Sequence, residues 1–97
     1  MNIDEKTKNK IIYTILGVIP DVKIYLFGSR ARGDYRPDSD IDIALEGKEK
    51  LDRYAIGEIR DMLQASNILK KIDIVDLNSV NNEMKDSILK EAVLWKS

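Results

Sequence analysis

The stretch VKIYLFGSRARGDYRPDSDIDIAL, residues 22–45, places a glycine-rich turn between two strand-like runs. Residues 22–27 are mostly β-branched or aromatic, which predicts a strand that ends at Gly28. In residues 40–45 an aliphatic side chain recurs at every second position, the period of a strand with one buried face. The stretch therefore predicts two strands with a turn between them.

Outside this stretch, the spacing of apolar residues indicates three helices and a third strand. In chain order these are a helix ended by Gly17 and Pro20, a helix over residues 51–63, a strand over residues 72–77 and a last helix with the apolar stripe Met84, Ile88, Ala92 and Trp95, capped by Asn78 or Ser79. The order helix, strand, strand, helix, strand, helix predicts an α/β (α+β) fold. We expect a small mixed sheet of about three or more strands, helices packed mainly on one face, and a single domain over residues 1–97.

The 97-residue chain contains no cysteine and no histidine, which excludes several chemistries. Without cysteine there is no disulfide, thiol nucleophile or sulfur-based zinc site, and without histidine there is no Ser-His-Asp or Cys-His triad. Seventeen carboxylates remain. Oxygen ligands suit hard cations such as Mg²⁺ or Mn²⁺. If the chain is an enzyme, carboxylates and such a metal must therefore carry most of its chemistry.

The charge balance gives no global attraction to polyanions, because the net charge is -1. We therefore expect no nucleic-acid partner and no membrane association. The N-terminus contains acidic residues where a signal peptide would have a basic head and an apolar stretch, and the longest apolar runs span a handful of residues. These features predict a cytoplasmic protein.

The turn after the first strand is a candidate phosphate-binding site. Glycine allows close approach of a ligand to the backbone at Gly28, and free amides at the start of a helical turn favour an anion. Arg30, Arg32 and Arg36 lie within seven residues, and the planar fork of arginine matches phosphate geometry. The alternative is an ordinary strand-to-helix turn with solvated arginines.

The pair Asp40 and Asp42 is a sharper signal. Two aspartates two positions apart on a strand project from the same face, with Cα atoms ~6.6 Å apart. Such like charges repel unless solvent or a cation neutralises them, and paired carboxylates are the ligands of a Mg²⁺ ion that carries nucleotide phosphates. The alternative for this motif alone is a solvent-facing edge with two acids of no function.

A third carboxylate comes from the strand over residues 72–77, which contains Asp73 and Asp76. The two residues have opposite parity and must face opposite sides of a regular strand. Only one of them can join Asp40 and Asp42. We favour Asp73, and expect Asp76 to cap or flank the last helix.

Two better-known motifs are disfavoured by single residues. Gly28 and Gly33 have the glycine spacing of a P-loop, but Asp34 stands where that loop needs its lysine. The acidic residues from Asp38 onward fit several positions of an EF-hand, but Ile43 stands where that loop needs glycine. A Walker-type ATPase and a calcium-binding loop are both disfavoured.

Taken together, these motifs resemble the signature of the DNA polymerase β-like nucleotidyltransferase superfamily. That signature is a Gly-Ser pair, a spacer, an Asp-x-Asp on the following strand and a further aspartate on a later strand. More narrowly, the chain resembles the minimal nucleotidyltransferases of bacteria and archaea, whose fold it is then expected to share. The stretches that carry the resemblance are FGSRARGD (27–34), SDID (39–42), IDIVDLN (72–78) and ILKE (88–91).

The resemblance implies a Mg²⁺-dependent transfer of a nucleoside monophosphate, with Mn²⁺ as an alternative metal. ATP is the expected substrate, AMP the transferred group and pyrophosphate the leaving group. The residues implied are Asp40, Asp42 and Asp73 for catalysis and metal binding, and Gly28, Ser29, Arg30 and Arg32 for nucleotide binding. Asp73 would also assist deprotonation of the attacking hydroxyl.

The resemblance also implies a partner. Small members of the family are commonly encoded beside a HEPN-domain RNase toxin, and some act as antitoxins by transferring AMP to a tyrosine of that partner. Because we expect no second domain that could grip an acceptor, recognition would fall to a partner surface or to self-association as a homo-oligomer. Tyr35, Tyr54 and residues 93–95 are candidate contacts. The alternative function is a non-catalytic antitoxin that neutralises a HEPN partner by direct contact.

Overall fold

Helices and strands alternate along residues 2–97, the part of the chain that the computed structural model describes; Met1 lies outside it. In chain order they are α1 (Glu5–Val18), β1 (Lys23–Phe27), α2 (Ser29–Arg32), β2 (Ile41–Glu46), α3 (Arg53–Gln64), β3 (Ile72–Asp76), α4 (Asn82–Glu91) and β4 (Val93–Lys96). None of these helices combines the length and the apolar composition needed to cross a membrane.

The four strands form one mixed sheet in the order β3-β2-β1-β4. β1 is antiparallel to both β2 and β4, whereas β2 is parallel to β3. The parallel pair requires a crossover connection, and α3 supplies it. The sheet confirms the expected mixed α/β fold, with one strand more than the sequence indicated.

The main core lies between the sheet and the helices α1 and α3. Alternate residues of each strand point into it, as the period of two predicted. Its fully or nearly fully buried members include Ile11, Ile15, Ile24, Leu26, Ile41, Ile43, Leu45, Ile59, Leu63 and Ile74. Since these residues fill one face, the intervening strand residues, including Asp42 and Asp73, project from the opposite face.

Helix α4 packs against that opposite face, and covers only part of it. Ile88 is buried there with Ala44 and Leu77, and Tyr25 and Phe27 pack around them. The helices are therefore placed mainly, but not entirely, on one side of the sheet. The end of the opposite face at Asp42 is left without an apolar cover.

The last predicted helix is wrong beyond Glu91. Trp95 lies on β4, which pairs with β1 and completes the edge of the sheet. A spacing of three and four residues at a chain end cannot exclude a short strand, whose backbone bonds depend on a partner distant in sequence. The cap of α4 is Asn81, whose side chain accepts a hydrogen bond from the Met84 amide at 2.8 Å, and not Asn78 or Ser79.

Candidate active site

Three aspartates meet where the open face of the sheet ends. Asp42 of β2 is in register with Asp73 of β3 and with Phe27 of β1. Registered residues of neighbouring strands project from the same face, so the Asp42 and Asp73 side chains are neighbours. Asp40 immediately precedes β2 and has the same parity as Asp42. The fold thus places Asp42 and Asp73 side by side, with Asp40 near enough for its charge to act on Asp42.

The surroundings of Asp42 disfavour its ionised form. Burial raises the pKa of Asp42 above its ordinary value, and the negative charges of Asp73 and Asp40 raise it further. The Arg32 guanidinium opposes the shift, whereas the Glu91 carboxylate adds to it. Ionised Asp42 is therefore stabilised by an added cation.

The donor set fits a hard divalent cation that arrives with a ligand. Within residues 2–97, no group of three or more acidic side chains is already arranged as a metal cage. Mg²⁺ commonly uses one or two protein carboxylates together with substrate phosphates and water, and does not need such a cage. Asp42 with its neighbours Asp40 and Asp73 meets that requirement.

Gly28 is the residue that lets β1 end close to Asp42. Its φ of 76° lies in the left-handed region that side chains disfavour. A Cβ at this position would overlap Asp42 Oδ2 and lie 3.0 Å from Asp42 Cγ. The Gly28 amide donates a hydrogen bond of 3.1 Å to Glu91 Oε1. Glycine is thus required here for both the turn and the position of the carboxylate.

Arg30 does not reach the site as the phosphate-cradle hypothesis expected. Its side chain is buried, with 3% of the residue exposed, and donates to the Ser39 carbonyl at 3.0 and 3.1 Å and to the Asn2 carbonyl at 2.8 Å. The guanidinium also lies 5.0 Å from the centre of the Tyr35 ring. Arg30 therefore fixes the loop that leads to Asp40, because its donors are used by backbone carbonyls of Ser39 and Asn2.

Arg32, two residues later, is directed toward the site. Its side chain is 47% exposed, and Nη1 donates to both oxygens of Glu91 at 3.0 and 3.1 Å. Nε donates to Asp34 at 3.4 Å. The hydrogen bond to Glu91, followed by that to Asp34, raises the pKa of Arg32. Arg32 is close enough to the site for its charge to lower the pKa of Asp42.

Glu91 is the residue that sequence reasoning missed. It lay within the stretch ILKE but received no role. One signal was available: it stands in the last turn of a helix, where the helix dipole disfavours negative charge. A glutamate at that position indicates a partner elsewhere, and the structure supplies Gly28 and Arg32.

Asp76 has a structural role, as expected, but with partners other than the last helix. It is buried, and its carboxylate accepts hydrogen bonds from the Leu51 amide at 2.9 Å, the Asn78 amide at 3.0 Å and the Ser79 hydroxyl at 2.8 Å. It therefore joins the loop before α3 to the turn after β3, and does not cap α4.

Replacing Asp76 by alanine should lower the free energy of unfolding by about 2–3 kcal/mol, because donors that are partly buried lose their acceptor. Asp73→Ala, the same substitution on the same strand, should alter it by less than about 0.5 kcal/mol, because the Asp73 side chain is 45% exposed. Urea denaturation of the two variants tests this. Equal losses of stability would contradict the assignment of different roles to the two residues.

The expected partner contacts differ in exposure. Tyr54 is almost fully exposed, and Val93 and Leu94 are about half exposed on the edge strand β4. Tyr35 instead packs over Arg30. Tyr54 and β4 therefore remain available surfaces, whereas Tyr35 stabilises the loop that leads to Asp40.

Comparisons with known proteins place this geometry in a family context. Residues 6–97 match the family model described as polymerase beta, nucleotidyltransferase. The protein adenylyltransferase MntA of Shewanella oneidensis is 35% identical over 95 residues, which cover 96% of this chain and 68% of that protein.

Solved structures agree with this match. A toxin-antitoxin structure with AMP-PNP contains a chain with a TM-score of 0.77 and 35% identity, covering 93% of this chain and 73% of that one. A chain of the complex between the tri-AMPylated Shewanella oneidensis HEPN toxin and MNT antitoxin has a TM-score of 0.70 and 33% identity, over 93% of this chain and 70% of that one.

Proposed function

This chain belongs to the polymerase β nucleotidyltransferase family, and we propose that it transfers AMP from ATP to a tyrosine hydroxyl of a HEPN-domain partner. The observation that carries the proposal is the register of Asp42 with Asp73, which groups their carboxylates beside the Gly28 turn. The raised pKa of Asp42 supports it, because the site favours a cation such as Mg²⁺ or Mn²⁺.

The three aspartates have different roles in the proposed reaction. Asp40 and Asp42 would hold the cation, with Asp73 as a further ligand. When bound, the metal polarises the α-phosphate and neutralises charge on the attacking and leaving oxygens. Asp73, whose side chain is 45% exposed, accepts the proton of the attacking hydroxyl. A bond forms between the tyrosine oxygen and the α-phosphorus, the bond to the β-phosphate bridging oxygen breaks, and pyrophosphate leaves.

The turn after β1 holds the leaving phosphates in this proposal. Because Gly28 has no side chain, nothing at this position would block the approach of the nucleotide to Asp42. Ser29 follows at the start of α2. Arg32 adds positive charge near the phosphates. Arg30 has no role in phosphate binding in this proposal, because its donors are used by backbone carbonyls of the loop after α2.

The acceptor is proposed from the relatives. The solved complex with 33% identity pairs an MNT antitoxin with an AMPylated HEPN toxin, and the similar Shewanella oneidensis protein is a protein adenylyltransferase. A HEPN partner would supply the acceptor tyrosine, and the reaction would take place in the cytoplasm. Through it the chain would act as an antitoxin. Assembly into a homo-oligomer stays a prediction.

Mass spectrometry of a HEPN partner, after incubation with this chain, Mg²⁺ and each nucleoside triphosphate in turn, tests the proposal. We expect AMP adducts on tyrosine with ATP, smaller amounts of adduct with other nucleotides, and a loss of adducts when the modified tyrosine becomes phenylalanine. An unmodified partner would contradict the proposal. Neutralisation of the partner's toxicity by an Asp40→Asn, Asp42→Asn variant would indicate a contact antitoxin instead.

A further inference from the structure

Glu91 connects the C-terminal part of the chain to the turn that the proposed function uses for phosphate binding. Its Oε1 accepts from the Gly28 amide at 3.1 Å, and both its oxygens accept from Arg32 Nη1. One carboxylate thus contacts the first residue of the turn and its accessible cation at the same time. These contacts join residues that are 63 and 59 positions apart in sequence.

The fold delivers Glu91 to this place through β4. Val93 pairs with Leu26 near the end of β1, so the chain two residues earlier passes beside Gly28. Ile88, one turn before Glu91 on α4, is buried against the sheet and fixes the helix. The position of Glu91 is therefore set by strand pairing on one side and by apolar packing on the other.

The contacts orient Arg32 and leave part of it free. Guanidinium has five donors in a rigid fork. The hydrogen bonds of Arg32 within residues 2–97 use Nε, toward Asp34, and Nη1, toward Glu91. Nη2 is thus available to a ligand while the other two nitrogens are held by carboxylates on different elements.

These contacts are too exposed to have a mainly stabilising role. The Arg32 and Glu91 side chains are 47% and 28% exposed, and ion pairs of this kind contribute little to folding. Fixing the orientation of a phosphate-binding arginine has a larger effect on a reaction, because positioned charge needs no rearrangement when the ligand binds.

We propose that Glu91 is a positioning residue for nucleotidyl transfer, which holds the Gly28 turn and the Arg32 guanidinium in the arrangement that binds the triphosphate. The proposal rests on the proposed function. It predicts that the negative charge of Glu91 favours nucleotide binding, although this charge lies beside the aspartates. A carboxylate that merely competed with phosphate for the same donors would have the opposite effect.

The test is Glu91→Gln, with Glu83→Gln as the matched control on an exposed position of the same helix. Glutamine retains an acceptor for the Gly28 amide but loses the charge that pairs with Arg32. We expect Glu91→Gln to weaken binding of a fluorescent ATP analogue with Mg²⁺ about tenfold and to raise KM for ATP more than it lowers kcat. Tm should stay unchanged, and Glu83→Gln should bind as the unmodified chain does.

A double-mutant cycle with Arg32→Gln shows whether Glu91 acts through Arg32. In the Arg32→Gln background, Glu91→Gln should have little further effect on binding. Equal or tighter binding by Glu91→Gln, or additive effects of the two changes, would overturn the proposal. Because binding is measured without a partner, failure of AMP transfer in the unmodified chain would refute the proposed function and leave this test intact.

Discussion

Asp42→Asn should lose at least about 10³-fold in AMP transfer and yet unfold at a higher temperature than the unmodified chain. The loss of activity follows from the loss of a carboxylate ligand at the centre of the cluster, while asparagine preserves the shape of the side chain. The gain in stability follows because the Asp42 carboxylate is costly to keep ionised: it is partly buried and lies near the negative charges of Asp73 and Asp40.

The sign of the stability change follows from linkage. The pKa of Asp42 is higher in the folded chain than the ordinary value of 3.8, so the folded state binds this proton more tightly than the unfolded state. Protonated Asp42 therefore contributes to stability at pH values below its pKa in the unfolded chain. This contribution is lost as the pH rises through its pKa in the folded chain. Near neutral pH the ionised carboxylate therefore destabilises the fold.

Calorimetry at about pH 7 and about pH 4 measures this effect. We expect Asp42→Asn to add about 0.5–1 kcal/mol at the higher pH, a small value because solvent screens a partly exposed group, which raises Tm by roughly 2–8 °C in a domain of this size. The advantage should shrink at the lower pH. Asp86→Asn, at an exposed position on α4, is the control and should change little. A variant that is less stable or fully active would contradict the assignment of Asp42 to the charged site.

Gly28→Ala should have the second largest effect, a loss of roughly 10²–10³-fold in transfer together with about 1–2 kcal/mol of stability. A methyl group at Gly28 would overlap the Asp42 carboxylate, and the φ of 76° is unfavourable for alanine. The carboxylate must then move, and displacement of a catalytic group by about an ångström costs on the order of 10²-fold.

The control for this change is Gly57→Ala in the middle of α3, where an added Cβ meets no atom within 4 Å. That substitution should stabilise the chain by about 0.5–1 kcal/mol and leave transfer unchanged. Transfer assays and thermal unfolding on both variants separate a steric effect at the site from the general effect of alanine. Unchanged activity in Gly28→Ala would show that the turn does not hold the carboxylate in place.

The local patterns in the sequence predicted β1, β2 and β3, and the face of the sheet on which Asp42 and Asp73 lie. Alternation along β2 placed Asp40 and Asp42 on the face opposite the core. The opposite parity of Asp73 and Asp76 allowed only one of them on that face, and Asp73 was the one favoured. The parallel register of β2 with β3 places Asp42 beside Asp73. Such features are readable because the period of a strand fixes the direction of each side chain.

The sequence alone could not distinguish the role of Arg30 from that of Arg32. Arg30 and Arg32 lie in the same motif two positions apart, and both have the charge that phosphate binding requires. The four-residue helix α2 directs Arg30 into the interior, where carbonyl groups such as that of Ser39 accept its hydrogen bonds, and leaves Arg32 outside. The difference in burial between the two arginines depends on a loop with no regular structure, and periodic patterns in the sequence do not predict the path of such a loop.

Glu91 was missed for a related reason. Its role depends on β4, a four-residue strand that pairs with β1, the strand that ends at the Gly28 turn. Apolar spacing around Trp95 fitted a helix equally well, and a helix would have carried the C-terminus elsewhere. Contacts between residues about sixty positions apart depend on the tertiary fold, and local spacing does not contain them.

The most direct measurement is a labelling assay with this chain, Mg²⁺, the purified HEPN partner and ATP that is labelled at either its α- or its γ-phosphate. The quantity measured is the covalent label on the partner. Transfer of a nucleoside monophosphate predicts covalent label from the α-phosphate, none from the γ-phosphate, and none from either when Asp42→Asn replaces the unmodified chain. Label from the γ-phosphate, or equal α-labelling by Asp42→Asn, would contradict nucleotidyl transfer at the aspartate cluster.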